Sequence, residues 1–352
     1  MATGRVVAAM SGGVDSSVAA AILKEQGWDV IGVTMQIWPK DTAGDSGCCG
    51  LGAIEDARKM AAKLGIRHYV MDFRREFEET VIADFCRQYK QGLTPNPCIR
   101  CNKYIKFELL RRRAAELDAG FIATGHYARV LKADEGYQLL KGVDPAKDQS
   151  YFLYNLTQHQ LAHLLLPVGG LTKPEVRRLA AERGLPSAAS KESQDICFIP
   201  GGDYRPFLIE RLILEPGDIV NSAGNVLGRH KGLPLYTVGQ RQGLGLASDK
   251  RLYVLKMDSA ANRLVVGPEE ELFSGQLTSA ELTWISGQAP QGNGITAKIR
   301  YRAEEAPSKI EVKDNTARVT FEKPQRAVAP GQAVVFYQGE VVLGGGTIII
   351  DN

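Results

Sequence analysis

The sequence predicts an α/β domain built on a parallel sheet, followed by a small central domain and a C-terminal β-barrel. Over the first half of the chain, short apolar runs alternate with stretches of helical spacing, as in parallel sheets covered by helices on both faces. From about residue 208 the helical spacing fades and short β-rich runs take over. Turn residues separate those runs at close intervals, which is typical of a small sandwich or barrel.

Length and composition agree with a multidomain globular protein. The chain has 352 residues, of which 44% are hydrophobic and 24% charged, so two or three domains are expected. We place them at residues 1–207, 208–277 and 278–352. No apolar run reaches about 18 residues, and no signal-peptide core precedes Gly12, so we predict a cytoplasmic protein without a membrane span. The net charge of +3 neither requires nor excludes a nucleic-acid partner.

The individual elements follow from the periodicity of apolar residues. Buried strands are predicted at 5–10, 30–35, 68–72 and 121–125, and helices at 15–27, 53–64, 76–90 and 104–117. A hairpin is predicted at 336–343, turning near Gln338 and Gly339. Ligands of parallel sheets bind at the carboxyl ends of the strands. The segments 11–17, 36–50 and 125–129 are therefore the first places to look for a site.

The segment Ser11-Gly-Gly-Val-Asp-Ser16 links the first strand to the first helix. Its glycines let backbone N–H groups turn toward an anion, and the start of the helix adds partial positive charge. This pattern favours a phosphate-binding loop, although it matches neither the Walker A motif nor the dinucleotide fingerprint. The alternative is a tight turn with Asp15 near the helix N-cap.

The chain has six cysteines, which in a cytosolic protein are candidates for metal, redox or catalytic roles. Cys98 and Cys101 lie three residues apart in TPNPCIRCNKYIKF (94–107), near lysines that favour a thiolate. They could also be buried structural residues or half of a zinc site. Cys197, in KESQDICFIP (191–200), is by composition alone a core residue. Cys48 and Cys49 lie in a glycine-rich loop and receive no function.

Two further segments are candidate binding sites. His126, in TGHYAR (124–129), follows a predicted strand and is either a ligand-binding or a core histidine. The segment IRYR (299–302) alternates cations and aromatic residues. It is either an exposed barrel strand or a strand that contacts an RNA backbone and stacks on bases.

The ordered set of motifs resembles one family. The loop at 11–16 is similar to the PP-loop of ATP pyrophosphatases, which belong to the adenine nucleotide alpha hydrolase-like fold. TPNPCIRCNKYIKF, TGHYAR, KDQSYFL, SQDICFIP, YTVGQRQGLGL, IRYRA and PGQAVVFYQGEVVLGGG follow in order. Together they resemble tRNA-specific 2-thiouridylases over nearly the whole chain. The resemblance implies an ATP-dependent tRNA-uridine 2-sulfurtransferase that thiolates C2 of the wobble uridine.

Site residues are carried over from that resemblance position by position. Cys101 matches the nucleophile, and Cys197 matches the cysteine that carries persulfide sulfur. The positions that match ATP contacts are Ala9, Met10, Ser11, Gly12, Gly13, Val14, Asp15, Ser16, Met35 and Gly125. The positions that match the target-base loop and other tRNA contacts are Asn96, Pro97, Cys98, His126, Lys147, Asp148, Gln149, Arg300, Tyr301 and Gln332. The implied cofactors are ATP and Mg²⁺, and the implied partners are a tRNA with a wobble uridine and a persulfide donor or relay protein.

The chemistry implied by the resemblance has two stages. Adenylation of O2 turns a poor leaving group into a good one, and pyrophosphate departs. A persulfide on Cys197 then delivers sulfur to C2, and a Cys101–Cys197 disulfide forms for an outside reductant. A flipped, single-stranded anticodon base can reach such a pocket.

Three alternatives stay open at this stage. Many relatives carry Asp at the position of Cys98, whereas this chain has a third cysteine there. Cys98, Cys101 and Cys197 could therefore instead hold three irons of a [4Fe–4S] cluster. Another PP-loop ligase, or a non-enzymatic ATP-binding module, would need neither the paired cysteines nor the terminal barrel.

Overall fold

The computed structural model describes residues 4–37, 51–186, 196–199, 201–247 and 250–350. Cys48 and Cys49, most of the 36–50 segment and the start of the motif at 191–200 lie outside these ranges. Among the described residues, no helix has the length and apolar character needed to cross a membrane.

The N-terminal domain is built on a parallel sheet, as the sequence predicts. The order of its strands is β3-β2-β1-β4-β7, with bounds β1 Arg5–Ala9, β2 Asp29–Gln36, β3 Arg67–Asp72, β4 Phe121–Ala123 and β7 Leu164–Leu165. The chain runs outward from β1 through β2 to β3, and then returns to β4 on the other side of β1. Ligands of open parallel sheets bind where the strand order reverses in this way, at the carboxyl ends of β1 and β4.

The helices lie between these strands and beyond them. Their bounds are α1 Val14–Glu25, α2 Leu51–Leu64, α3 Arg74–Phe77, α4 Ala83–Lys90, α5 Pro97–Arg100, α6 Leu110–Ala115, α7 Gln158–Leu161, α8 Lys173–Glu182 and α9 Arg205–Arg211. A π-helical segment joins α3 to α4 (Glu78–Ile82), and another joins α5 to α6 (Cys101–Leu109). The second gives one continuous helical stretch over 97–115, which begins earlier than the predicted 104. Because π-helical segments are uncommon and often lie at functional sites, its start at Cys101 draws attention to this residue.

The second half of the chain forms two further sheets. The central sheet has the order β10-β11-β8-β9, with bounds β8 Gly217–Asn221, β9 Val226–His230, β10 Tyr253–Asp258 and β11 Arg263–Gly267. The last sheet contains β12 Phe273–Trp284, β13 Thr296–Lys298, β14 Ala306–Lys313, β15 Thr316–Arg326, β16 Ala333–Gln338 and β17 Val341–Ile349. Pairing of β12 with β17 closes these six strands into a barrel, which confirms the predicted fold class. β16 and β17 form the predicted hairpin, with Gln338 paired to Val341.

One hairpin from the N-terminal half joins the barrel sheet, and the sequence reading missed it. β5 (Ala128–Ala133) and β6 (Gly136–Lys141) pair with each other, and β6 pairs with β17 through Leu139 and Val342. Ion pairs from Lys141 to Glu305 (2.6 Å) and from Arg129 to Glu340 (3.1 Å) cross the same junction. The barrel is therefore attached directly to the segment that follows β4, where the candidate site lies.

A single apolar cluster extends from the N-terminal domain into the C-terminal barrel. It contains side chains of β1 and β2, of the helical stretch over 97–115, and of barrel strands β16 and β17. Burial of this apolar surface holds the N-terminal domain and the barrel together. The candidate nucleophile Cys101 is a member of this cluster.

Candidate active site

The glycine-rich loop lies at the start of α1, as predicted. Gly13 occupies the N-cap position in an extended conformation and has no side chain to cap the helix. The first N–H groups of a helix have no intrahelical partner, so they are available to an anion here. Ser11 N–H donates to Ser16 Oγ (3.3 Å), and Ser16 Oγ donates to the Gly13 carbonyl (3.1 Å). These bonds give the loop a fixed shape before any ligand arrives.

Two glycines are required at this loop for steric reasons. Gly12 has a φ of +75°, and a Cβ there would lie 2.7 Å from the Ala53 carbonyl oxygen. A Cβ on Gly125, just after β4, would lie 2.6 Å from the Ser16 nitrogen. Ordinary contacts of this kind are longer than 3 Å. The β4 segment therefore packs directly on the backbone of the loop, and only glycine permits this approach.

Asp15 is held by a lysine that the sequence reading did not single out. Lys173 Nζ donates to both carboxylate oxygens of Asp15, at 2.7 and 2.8 Å. Tyr127 Oη donates to Asp15 Oδ1 at 2.6 Å. Lys173 is buried although it is charged, and lysines are almost never buried unless paired. The ammonium group therefore lies beside the phosphate-binding loop, in an ion pair with Asp15.

Lys173 is positioned by the start of α8. Its backbone N–H donates to Asp144 (2.9 Å), and Thr172 and Glu175 form a capping box around the first turn. The sequence Thr-Lys-Pro-Glu at 172–175 has the local pattern of a helix start. That pattern reveals the cap, but it does not reveal the partner of the lysine 158 residues away.

The carboxyl ends of β1 and β2 form the other side of the loop. Thr34 Oγ1 donates to the Met10 carbonyl (2.8 Å) and contacts His68 Nε2 (2.9 Å). Ala9 and Met35, both half-buried, lie near the ends of the two neighbouring strands. Their carried-over role as ATP contacts stays a prediction.

The cysteine motif begins the helical stretch over 97–115. Asn96 precedes it in an extended conformation, and Pro97 occupies the first turn, where a missing N–H costs nothing. Cys98 is half-buried and Cys101 is 8% exposed. Cys197 is half-buried and packs against the same apolar cluster that contains Cys101. The next residue, Phe198, anchors this segment through edge contacts with Phe77 and Phe85.

The cysteines do not support the iron–sulfur alternative. Cys98, Cys101 and Cys197 are all within the described ranges. Across those ranges, no three His, Cys, Asp or Glu side chains are grouped so that they could hold a metal ion. A cluster bound by three cysteines requires such a group, so we derive no step through it.

The segment that leads into the predicted target-base positions Asn96, Pro97 and Cys98 is held by contacts with the barrel and the central domain. Thr94 N–H donates to the Pro330 carbonyl of the barrel (2.8 Å), and Thr94 Oγ1 lies 2.6 Å from Thr237 Oγ1 of the central domain. Gln332 Nε2 donates to the carbonyls of Thr94 (2.8 Å) and Pro95 (3.4 Å). Gln332, carried over as a tRNA contact, thus has its amide nitrogen engaged in holding this loop.

The other carried-over tRNA positions near β5 are engaged internally. His126 is buried and bonded to Thr124 Oγ1 (2.7 Å), and burial holds its pKa well below 6.5. Asp148 accepts bonds from Gly142 N–H (2.9 Å) and from Ser150 Oγ (2.8 Å). Gln149 accepts a bond from Tyr127 N–H (3.0 Å), whereas Lys147 is half-exposed.

Arg300 and Tyr301, the candidate tRNA contacts of the barrel, both contact other parts of the protein. Arg300 donates to the carbonyls of Val238 (3.1 Å) and Ala327 (2.7 Å), so it ties the central domain to the barrel. Tyr301 is half-buried, and its ring lies 4.5 Å from that of Phe152. Lys298 Nζ lies 5.9 Å from the centre of the Tyr301 ring. The tRNA-contact role of these residues stays a prediction.

Family models match three consecutive parts of the chain. A tRNA methyl transferase HUP domain matches residues 4–201, a tRNA methyl transferase PRC-barrel domain matches 205–268, and an aminomethyltransferase beta-barrel domain matches 274–348. A solved 4-thiouridine synthetase–RNA complex with bound ATP is a distant likeness. It has 19% identity and a TM-score of 0.37, and the alignment covers 59% of this chain and 50% of that one.

Curated relatives match over the full length. The tRNA-specific 2-thiouridylase MnmA of Heliobacterium modesticaldum is 53% identical, and the alignment covers 98% of this chain and 92% of the relative. The protein of the same name from Geobacter metallireducens is 50% identical, with 98% and 96% covered. The chain belongs to the tRNA-specific 2-thiouridylase MnmA family.

Proposed function

We propose that this protein catalyses the ATP-dependent 2-thiolation of the wobble uridine of tRNA. The observation that carries the proposal is the likeness of 98% of the chain to proteins named tRNA-specific 2-thiouridylase. The phosphate-binding loop, the buried lysine beside it and the two cysteines of the apolar cluster support it. A different PP-loop ligase or an ATP-binding module gives no reason for the cysteines.

The first stage is activation of the uracil O2 by ATP. The phosphates of ATP lie at the start of α1, where unpaired N–H groups and the helix dipole stabilise the charge that develops as pyrophosphate leaves. Lys173 lies at the same place in an ion pair with Asp15 and holds the first turn of α1 in position. O2 attacks the α-phosphorus, the bond to the β-phosphate breaks, and AMP stays on O2.

Mg²⁺ has no evident protein ligands in this arrangement. The carboxylate of the loop, Asp15, is already bonded to Lys173 and Tyr127. The described residues contain no group of three suitable side chains. Mg²⁺ would enter with the phosphates of ATP, where it would neutralise their negative charge.

The second stage transfers sulfur from Cys197. The terminal sulfur of a Cys197 persulfide attacks C2, and AMP leaves with the O2 oxygen. The Cys101 thiolate then attacks Cys197 Sγ, and the persulfide S–S bond breaks. The electron pair of that bond stays on the sulfur of 2-thiouridine. The resulting Cys101–Cys197 disulfide takes two electrons from an outside dithiol before a persulfide donor recharges Cys197.

The target uridine is received by the loop Asn96-Pro97-Cys98. Thr94, two residues before this loop, contacts Pro330, Thr237 and Gln332, and these contacts hold the start of the loop against the barrel and the central domain. A base extruded from a single-stranded anticodon loop enters such a site at low cost, because it is already unpaired. Arg300 and Tyr301 of the barrel are the proposed contacts with the rest of the tRNA.

Cysteine variants test the proposal. Cys101→Ser and Cys197→Ser should each abolish 2-thiouridine formation and keep tRNA-dependent pyrophosphate release, because adenylation uses neither thiol. Cys98→Asp should preserve thiolation, because Cys98 takes no part in the transfer of sulfur from Cys197. Cys86→Ser is the matched control, because Cys86 is a half-buried cysteine that packs against the same cluster. Thiolation that survives in either serine variant would exclude the persulfide route.

A further inference from the structure

A cavity of about 300 Å³ lies behind the cysteine-bearing helix. It opens between the helical stretch over 97–104 and barrel strands β12 and β17. The polar side chains of its lining include Asn96, Arg100, Lys103, Tyr104, Asn155 and Glu281. Its volume is at the lower end of the range of small-molecule sites, so it suits a ligand of about one nucleotide.

This cavity is distinct from the thiol site. Cys101 packs into the apolar cluster together with Ile105 and Phe107, whereas Arg100, Lys103 and Tyr104 line the cavity. None of the described cysteines is part of its lining. Asn96 lines the cavity and also precedes Cys98 in the target-base loop, and Ile99, between the two cysteines, belongs both to the lining and to the apolar cluster.

The lining carries two cationic side chains, Arg100 and Lys103, and one carboxylate, Glu281. The Arg100 guanidinium is neutralised by Asp84 (3.2 Å) and by Glu281 of the barrel (3.6 Å). Lys103 Nζ lies 5.3 Å from the centre of the Tyr104 ring and forms no ion pair within the described ranges. A lysine over an aromatic ring at the mouth of a polar cavity is suited to an anion such as a phosphodiester.

The neutral groups of the lining are those that recognise a base. Asn155 is 7% exposed, and its Oδ1 lacks a hydrogen-bond partner within the described part of the chain. A buried amide oxygen without a partner costs free energy, which a ligand that donates a hydrogen bond recovers. Tyr104 supplies a half-exposed ring, and bases stack readily on such rings whatever their sequence.

We propose that this cavity binds one unstacked nucleotide, with the base against Tyr104, its edge toward Asn155 and its phosphate at Lys103. The inference rests on the proposed function, because the same loop that receives the target uridine also borders the cavity through Asn96. The nucleotide comes either from the anticodon loop of the tRNA, next to the target uridine, or from the free nucleotide pool. Binding there fixes the helix that carries Cys98 and Cys101.

The test compares two variants of Tyr104 with two kinds of probe. Tyr104→Leu removes the ring, whereas Tyr104→Phe keeps the ring and loses only the bond from Arg100 Nη1 (3.2 Å). The probes are an anticodon stem-loop RNA with a wobble uridine, the same RNA with a single abasic site at each loop position in turn, and the four nucleoside monophosphates. A third variant, Lys103→Gln, removes the proposed phosphate contact and tests the site even if Tyr104→Leu is poorly folded.

The expected result is specific to one loop position. Tyr104→Leu should weaken binding of the intact RNA by about 5- to 150-fold, the range for loss of one base–aromatic stack. Tyr104→Phe should bind within about twofold of the unsubstituted protein. One abasic RNA should bind the unsubstituted protein and Tyr104→Leu equally, because its missing base is the occupant. An effect confined to a free monophosphate supports the nucleotide site and assigns it to the nucleotide pool.

Equal binding of every probe by the unsubstituted protein, Tyr104→Leu and Lys103→Gln would overturn the proposal. The outcome is separable from the proposed function, because thiolation of the intact tRNA by the unsubstituted protein is measured in parallel. A protein that thiolates tRNA but shows no Tyr104 effect retains the function and loses only this site. A protein that shows the binding effect without thiolation retains the site and loses the function.

Discussion

Replacement of Asp15 by alanine should affect both stability and the first chemical stage. The Asp15 carboxylate accepts two bonds from Lys173 and one from Tyr127. The Lys173 side chain is only 8% exposed, whereas that of Asp15 is 31% exposed. Asp15→Ala therefore leaves a nearly buried ammonium group without its carboxylate.

The magnitude follows from the loss of a carboxylate partner by a buried charge. Removal of one partner of a buried pair costs about 3–5 kcal/mol, and the partial exposure of Asp15 favours the lower limit. About 3 kcal/mol corresponds to a decrease in Tm of roughly 6–12 °C for a domain of this size. Loss of the carboxylate also releases Lys173 from the loop, so tRNA-dependent pyrophosphate release should be abolished.

A double variant separates the two effects. Asp15→Ala combined with Lys173→Met also removes the buried charge that has lost its carboxylate partner, so most of the lost stability should return while pyrophosphate release stays absent. The assays are thermal unfolding followed by circular dichroism, and release of labelled pyrophosphate with and without tRNA. An Asp15→Ala protein that keeps its Tm would refute the stability argument, and near-normal pyrophosphate release would refute the assignment of the loop.

Three further predictions concern the surroundings of the site. Gly125→Ala should reduce ATP-dependent pyrophosphate release by about 100-fold or more, because the added Cβ would lie 2.6 Å from the Ser16 nitrogen and displace the loop. The control is Gly120→Ala, where a Cβ meets nothing within 4 Å, and this variant should release pyrophosphate normally. Arg300→Ala should weaken tRNA binding and reduce the slope of log K against log salt concentration by about one. It should also lower the Tm, because the bonds of Arg300 to Val238 and Ala327 are lost. Unchanged affinity and slope would show that Arg300 only joins the domains. Burial depresses the pKa of His126 below 6.5, so the unfolded chain takes up the proton first as the pH falls. The contribution of His126 to the free energy of unfolding is therefore lost below about pH 6.5. Between pH 7 and 5, His126→Asn should lose less free energy of unfolding than the unsubstituted protein, and an equal loss would contradict the prediction.

The sequence by itself determined the fold class and the phosphate-binding loop. Both depend on local patterns: apolar periodicity distinguishes buried strands from amphipathic helices, and Gly12 permits a turn that other residues resist. The motif order also indicated the family, which the full-length relatives confirm. The roles of Cys101, Cys197 and the tRNA-contact residues stay predictions.

Only the tertiary structure decided which distant residues meet at the site. Lys173 reaches Asp15 across 158 residues, Gln332 holds a loop more than 230 residues before it, and the hairpin of β5 and β6 joins the barrel. Nothing in the local sequence around Lys173 distinguishes it from an exposed lysine at a helix start. Its burial, and therefore its need for a carboxylate partner, arises only when α8 packs beside α1, because desolvation of a charge depends on what surrounds it in space.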